Sequence, residues 1–176
     1  KYAAPAFAGS SCALRRGGRP ECEYAPGEFR FTVRGRLPER CWSLRMSNGR
    51  FGYIAADCGL GNMWAGNARE ERINAWLCDE LAASGPETLE TESGGRRASL
   101  FAAEDGEDCR VSFGLGYAVW EKLGARVTAF VPLDAAARLL IIENPPGAVY
   151  WHTTLQLAAE PRDAAFTVTA AAGGLL

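Results

Sequence analysis

The sequence is short of several features that would mark common classes of protein. It contains one histidine, His152, and no run near the roughly 18 apolar residues that a membrane span requires. Its formal net charge is only −2 and its arginines are scattered, which does not indicate a nucleic-acid or membrane partner. The first residues lack the basic start and apolar middle of a signal peptide. We therefore expect a cytoplasmic protein with no membrane span in this segment.

Catalytic motifs are also missing. There is no G-x-S-x-G, no G-x-x-x-x-G-K and no H-E-x-x-H. The adjacent acidic pairs Glu70/Glu71 and Glu104/Asp105 are typical of solvated charge, because neighbouring residues rarely converge on one scissile bond. His152 lies in a predicted strand, where a hydrogen-bonded structural histidine is commoner than a general base. We predict no catalytic residue, metal ligand or cofactor for this chain.

The cysteines are dispersed and include no C-x-x-C pair. A domain of this length buries about 70% of the surface that its unfolded chain exposes, so it does not need disulfides to fold. We predict that all six thiols are free: Cys12, Cys22, Cys41, Cys58, Cys78 and Cys109.

Alternation of apolar and polar residues is the strongest pattern that is present, and it indicates half-buried strands. The run 29–33 places two phenylalanines and a valine on one face. Two further alternating runs, 42–46 and 51–55, flank Asn48-Gly49, a pair that accepts the positive φ angles of a tight turn. The sequence therefore predicts a β-hairpin at this point.

A second hairpin is predicted further along the chain. Its parts are a strand over 111–119, a turn near 122–124 and a return strand over 127–131. Gly114 and Gly116 fall inside the first of these strands and indicate a bulge or a close crossing of chains.

The remaining pattern is again one of strands separated by turn residues. We predict a buried strand at 137–144, two more at 149–160 and 164–172, and one or two short strands among the loops of 82–108. Turn signals recur every 8–12 residues or so and long helical patterns are almost absent, which is typical of a sandwich. The predicted fold class is all-β, an antiparallel β-sandwich.

The segment 61–80, "GNMWAGNAREERINAWLCDE", fits no single pattern. Apolar residues from Ile73 to Leu81 recur at helical spacing, and Asn67 with Glu70 has the spacing of a capping box. From the residues alone, a short helix and an extended loop both remain open.

The same segment is rich in aromatic and forked polar side chains, which are the groups that stack on sugar rings and bind vicinal hydroxyls. The alternative for any one tryptophan is that it fills the core of the sandwich. The candidate substrate-binding residues are Trp64, Asn67, Arg69, Glu70, Arg72 and Trp76.

An ordered set of short motifs runs through this part of the chain. Its members are Phe51-Gly52, Gly59 to Gly61, Trp64, Asn67 to Arg72, Trp76, Asp79, Gly114 to Tyr117, and Phe130 to Pro132. This set resembles the N-terminal β-sandwich of glycoside hydrolase family 94, the family of cellobiose and chitobiose phosphorylases and of the phosphorylase region of cyclic β-1,2-glucan synthase. The sequence departs from the family pattern at Ala68, at Asn74-Ala75 and at Cys78.

The resemblance implies a sandwich of the super-sandwich type that is an incomplete domain. It implies an N-terminal extension over 1–27 and a sandwich over 28–176, truncated before a linker and an (α/α)6 catalytic barrel. The parent enzyme would perform inverting phosphorolysis with inorganic phosphate, using an aspartate of the barrel. The expected partners are that barrel, an oligosaccharide and a second copy in a homodimer.

For residues 61–80 the resemblance favours an extended loop over a helix. It implies an accessory, carbohydrate-associated domain without activity of its own. An autonomous carbohydrate-binding module and a purely structural domain are the alternatives.

Overall fold

The computed structural model describes residues 17–74 and 86–157. These two ranges form twelve β-strands and no helix, and all strands pair in antiparallel fashion, which confirms the predicted fold class. No helix that could cross a membrane is found in them. The strands are β1 (Glu21–Ala25), β2 (Glu28–Arg34), β3 (Ser43–Ser47), β4 (Phe51–Ala56), β5 (Gly59–Ala65), β6 (Glu87–Ser93), β7 (Arg96–Ser99), β8 (Asp108–Gly114), β9 (Tyr117–Lys122), β10 (Ala125–Phe130), β11 (Leu139–Glu143) and β12 (Ala148–Thr153).

The strands form two sheets. The first has the order β1-β2-β8-β9-β10-β11, and the second has the order β12-β6-β5-β4-β3 with β7 beside β6. Residues 21–25, which the resemblance to family 94 assigns to an N-terminal extension, form the outer strand of the first sheet and pair with β2. The described part of that extension is therefore built into the sandwich.

The core lies between the two sheets. Phe31 and Trp120 from the first sheet and Tyr53 and Leu89 from the second are at most 1% exposed. The indole N–H of Trp120 crosses the core and donates a hydrogen bond to the carbonyl of Ala56 at 3.1 Å. Complete burial of a phenylalanine or leucine side chain, such as Phe31 or Leu89, stabilises the fold by about 1.5–3 kcal/mol. The period-2 alternation of the sequence is what places these residues on one face of each strand.

The outer face of the first sheet carries paired charges. Arg34 on β2 forms an ion pair with Glu21 on β1 at 2.8 Å. Glu28 accepts hydrogen bonds from the Tyr117 hydroxyl and from Arg30, and these two bonds hold the pKa of Glu28 below its ordinary value. This face is polar and solvated, in agreement with the alternation.

The predicted hairpin at Asn48-Gly49 is confirmed, but the asparagine plays another part. Only Gly49 has a positive φ, of +84°. The side-chain oxygen of Asn48 accepts hydrogen bonds from the backbone N–H groups of Arg50 and Phe51, both at 2.9 Å, and its amide nitrogen donates to the carbonyl of Pro132 at 2.5 Å. Asn48 thus closes the turn and ties it to the loop after β10.

The predicted single strand over 111–119 is wrong. The chain turns between β8 and β9 at Leu115 and Gly116, where Leu115 is 87% exposed and Gly116 has a φ of +89°. The turn reverses the chain, and Phe113 pairs with Ala118, which is buried. Tyr117 therefore lies on the opposite face of the sheet from Phe113. The following turn, at 123–124, is where the sequence predicts it.

The strand predicted at 137–144 is present as β11, but the prediction that it is buried is wrong. β11 pairs only with β10 and ends the first sheet. Leu140 and Ile142 pack against the core, so alternation places Leu139 and Ile141 on the outer face, where they are 39% and 48% exposed. The chain then crosses to β12, which is the edge of the second sheet. The short strands predicted within 82–108 are confirmed by β6 and β7, while the strand predicted at 164–172 lies outside the described residues.

Four of the predicted free thiols lie in the described residues, and none of them forms a disulfide. They are Cys22, Cys41, Cys58 and Cys109. Burial raises the pKa of the Cys109 thiol to about 12, so this group stays protonated and unreactive. Cys12 and Cys78 lie outside the described residues.

Candidate functional site

The described part of segment 61–80, residues 61–74, forms a hairpin with β5. After β5 the chain reverses, and Arg72 pairs with Trp64 in an antiparallel bridge. The N–H of Ile73 donates to the carbonyl of Met63 at 3.0 Å. Residues 72–74 are therefore extended, so no helix starts at Ile73; Trp76 and the rest of the predicted helix lie outside the described residues.

The returning arm of this hairpin, residues 72–74, lies beside β5 and extends the second sheet. Asn74 bridges to Leu155, and the N–H of Gln156 donates to the carbonyl of Ile73 at 3.0 Å. The buried side chain of Asn74 also accepts a hydrogen bond from the N–H of Met63 at 2.8 Å. The arm is thus held between β5 and the chain that follows β12.

The tip of the hairpin is closed by Asn67 and Glu71. The N–H of Glu71 donates to the carbonyl of Asn67 at 2.9 Å, which makes one helical turn. The side-chain oxygen of Asn67 accepts from the N–H of Arg69 at 2.8 Å, and the Glu71 carboxylate accepts from the N–H of Asn67 at 3.0 Å. The reciprocal pattern of a capping box is present, and the N–H of Glu70 also donates to the Asn67 side-chain oxygen, at 3.4 Å. The carboxylate that accepts from the N–H of Asn67, however, belongs to Glu71 and not to the predicted Glu70.

The other charged side chains of the tip point into solvent. Arg69, Glu70 and Arg72 are exposed, and among the described residues they form no ion pair. Ion pairs of these arginines with Glu70 or Glu71 are therefore not what shapes the tip. The backbone hydrogen bonds give the tip its conformation, and they leave two arginines available to a ligand or a partner.

Trp64 is the anchor of this hairpin. It is 6% exposed and lies over Gly52 of the neighbouring strand. A Cβ added to Gly52 would be 2.0 Å from two carbons of the indole, so only glycine leaves room for the ring. Because its neighbour Met63 packs into the core, alternation places Trp64 on the outer face of the second sheet. A ring buried in this way presents no exposed face to a sugar.

Trp151 is the most exposed of the four tryptophans in the described residues. Trp120 is fully buried and Trp42 packs against the core, whereas Trp151 is 54% exposed. It pairs with Leu89 and so lies on the inner face of the second sheet, but β12 is the edge strand and one side of the ring faces solvent. The sequence analysis placed Trp64 and Trp76, and not Trp151, among the candidate substrate-binding residues, because the position of a ring in the sheets cannot be read from the sequence.

A buried ion pair supports the Trp151 ring. Arg138, from the loop between β10 and β11, binds Glu87 on β6 through two hydrogen bonds of 2.5 and 3.1 Å. The two side chains are 6% and 0% exposed. The guanidinium carbon of Arg138 lies 5.7 Å from the centre of the Trp151 ring and 5.0 Å from that of Tyr53. Arg138 therefore links the two sheets and contacts the exposed indole of Trp151 from the protein side.

Sequence reasoning missed Arg138 and Glu87. They are 51 positions apart, and neither belongs to a motif. The sequence did contain one indication: Arg138 stands alone between three alanines and the apolar run 139–142, where a charged side chain is unusual. Burial raises the pKa of the adjacent Tyr53 hydroxyl well above its ordinary value, so this group stays protonated beside the ion pair.

A separate groove of about 440 Å³ lies at the opposite end of β6. It is lined by both strands of the β6–β7 hairpin and by the loop before β8, including Thr91, Arg96, Arg97 and Glu107. The Thr91 hydroxyl is buried without a hydrogen-bond partner. The side chains that line the groove, all within the described ranges, include no aromatic ring to stack on a sugar, so Trp151 is the better candidate platform.

No protein-family model matches the chain, and no curated protein is similar to it in sequence. The resemblance to family 94 therefore rests on the motif residues themselves and stays a prediction.

Proposed function

We propose that this chain is an accessory, carbohydrate-associated β-sandwich domain of a family 94 glycoside phosphorylase or a related β-glucan synthase-like enzyme. In this role it packs on a catalytic barrel of the parent chain and lines the substrate entrance. Two features support the proposal: the order of the motif residues along the sequence, and the antiparallel sandwich in which they lie.

The observation that carries a role in sugar binding is the exposed, supported indole of Trp151. Sugar rings present apolar C–H faces that pack on aromatic rings, while their hydroxyls require fixed hydrogen-bond partners. Trp151 offers the ring, and Arg138, held by Glu87, keeps it in place. The exposed arginines of the hairpin tip, Arg69 and Arg72, add forked donors on the same sheet.

The chemistry expected of this chain is binding and positioning. The general acid and the phosphate site of the proposed parent belong to its barrel, so the isolated chain should release no glucose 1-phosphate from a β-glucan in the presence of phosphate. Release of glucose 1-phosphate by this chain alone would overturn the proposal.

Saccharide binding is tested by titrating the chain with β-1,2- and β-1,4-linked gluco-oligosaccharides while tryptophan fluorescence is recorded. Because the isolated chain would supply only one side of a site that it shares with the barrel, it should bind the oligosaccharide weakly, with a Kd of about 1 mM. Trp151→Ala should abolish the fluorescence change. Tyr24→Ala is the matched control, because Tyr24 is an aromatic residue that is 82% exposed on the outer strand of the other sheet.

The other outcomes select the alternatives. Binding near 1 μM by the isolated chain would identify an autonomous carbohydrate-binding module. No binding at saturating oligosaccharide would leave a purely structural domain. An equal loss in the Tyr24→Ala and Trp151→Ala variants would show that Trp151 is not the platform.

A further inference from the structure

The base of the β3–β4 hairpin brings two cysteines and an aspartate together. Ser43 and Ala56 are the last paired residues of the two strands, and the N–H of Asp57 donates to the carbonyl of the residue before Ser43 at 2.8 Å. Cys41 and Cys58 follow at the mouth of the hairpin. Their sulfur atoms and a carboxylate oxygen of Asp57 all lie within 4.8 Å of one another.

The carboxylate of Asp57 is fixed before any ligand arrives. Asp57 is fully buried, and its two oxygens accept hydrogen bonds from the N–H of Trp42 at 3.2 Å and from the N–H of Cys58 at 2.7 Å. The Cys41 thiol donates to the second of these oxygens at 3.3 Å. A cation placed between this sulfur and this oxygen would take the position of the thiol proton.

We propose that Cys41, Asp57 and Cys58 bind a thiophilic divalent cation, with Zn²⁺ as the best match. Thiolate and carboxylate ligands in a tetrahedral arrangement are what Zn²⁺ prefers, and three protein ligands leave the fourth position for water or another ligand. Binding releases the thiol protons to solvent and leaves both sulfurs as thiolates.

The geometry is close to what such an ion requires. Zn–S bonds of about 2.3 Å place two sulfurs roughly 3.8 Å apart on a tetrahedral ion, so side-chain movements of about 1 Å bring these donors into place. Cys41 and Cys58 are both partly exposed, which gives an ion access from solvent. The hydrogen bonds from Trp42 and Cys58 hold the carboxylate as outer partners do in established metal sites.

Sequence reasoning did not predict this site because the two cysteines are 17 positions apart and form no C-x-x-C pair. The antiparallel register of the hairpin makes them neighbours. This inference does not depend on the proposed role in carbohydrate binding.

The test is a titration of the reduced protein with Cd²⁺, whose thiolate complexes absorb in the ultraviolet, followed by competition with Zn²⁺. Cys41→Ser and Cys58→Ser should each lower the affinity by more than the roughly 10–100-fold that loss of an outer partner costs. Cys22→Ser is the control, because this exposed thiol lies on β1 and should leave the affinity unchanged.

A second measurement needs no variant and so remains decisive if the serine variants fail to fold. One equivalent of Zn²⁺ should protect Cys41 and Cys58 of the wild-type protein from alkylation, as mapped by mass spectrometry, while Cys22 continues to react. Equal labelling of Cys41 and Cys58 with and without Zn²⁺ would overturn the proposal. An equal loss of Cd²⁺ affinity in the Cys22→Ser and Cys41→Ser variants would also overturn it.

Discussion

Arginine occupies two contrasting places in this sandwich. Arg138 is 6% exposed and is bound by both oxygens of the fully buried Glu87, between the two sheets. Arg72, at the hairpin tip, is exposed and forms no ion pair among the described residues. The same side chain is thus part of the interior in one region and part of the solvated surface in the other.

The contrast shows that proximity in the sequence is not sufficient for opposite charges to pair. Glu70 and Glu71 lie within two positions of Arg72, yet none of the three pairs with another, whereas Arg138 reaches across the sandwich to Glu87. In water an exposed pair gains only about 0–1 kcal/mol, but a buried charge without a partner is heavily penalised. Burial therefore decides which arginine must be paired, and four predictions probe this difference.

The largest effect is expected for Arg138→Ala. The change leaves the carboxylate of Glu87 buried without its partner, which should lower the free energy of unfolding by about 3–5 kcal/mol. Urea denaturation of the variant and the wild-type protein measures it.

The matched control replaces both charges by apolar residues of similar size, Arg138→Met with Glu87→Leu. The double variant should recover most of the loss, because no unpaired charge remains. If Arg138→Ala costs no more than an exposed arginine does, burial does not distinguish the two regions.

Trp64 should matter to the hairpin more than the charges at its tip. Trp64→Ala removes a buried indole and should cost about 3–5 kcal/mol. Gly52→Ala forces a methyl group into the ring and should cost about 1–3 kcal/mol. In the Trp64→Ala background the Gly52→Ala change should cost little, because the ring that it meets is gone. Additive losses in a double-mutant cycle would contradict this packing.

Glu28 and Tyr117 form an intermediate case, because this pair is only partly buried. Tyr117→Phe should lower the free energy of unfolding by about 1 kcal/mol at neutral pH. The pKa of Glu28 is depressed in the folded state, so its contribution is present above the ordinary pKa of a glutamate and is lost as pH falls through the folded value. The gap between variant and wild type should therefore close in acid, which denaturation at a series of pH values below 5 or so would show. A gap independent of pH would point to lost packing.

The smallest effect is expected for Arg72→Ala. Its side chain is exposed and its contribution to stability should be about 0–1 kcal/mol, measured by thermal or urea denaturation. In the proposed full-length parent, the same change should weaken substrate binding. If Arg72→Ala unfolds the isolated domain but leaves the kinetics of the parent unchanged, the role of the hairpin tip is purely structural.

Local patterns in the sequence determined a large part of the fold. Alternation predicted β2, β3, β4 and β10 and the faces that they bury, because the side-chain period of a strand is the same wherever the strand lies. Asn48-Gly49 predicted a turn, because glycine adopts a positive φ without a steric penalty. The same reasoning failed at Leu115-Gly116, where an apolar residue in a tight turn continues the alternating pattern.

Tertiary structure decided which residues of a given type can serve a function. Gly52 and Gly114 look like ordinary turn or strand glycines, but each makes room for an aromatic ring, of Trp64 and Tyr117 respectively. Sheet order put Trp151 on an edge, where its ring is exposed. Hairpin register and the packing of the two sheets brought together the cysteine–aspartate cluster and the pair Arg138–Glu87. These contacts join residues that lie in different strands and loops, whereas periodicity carries information only about neighbours within one element.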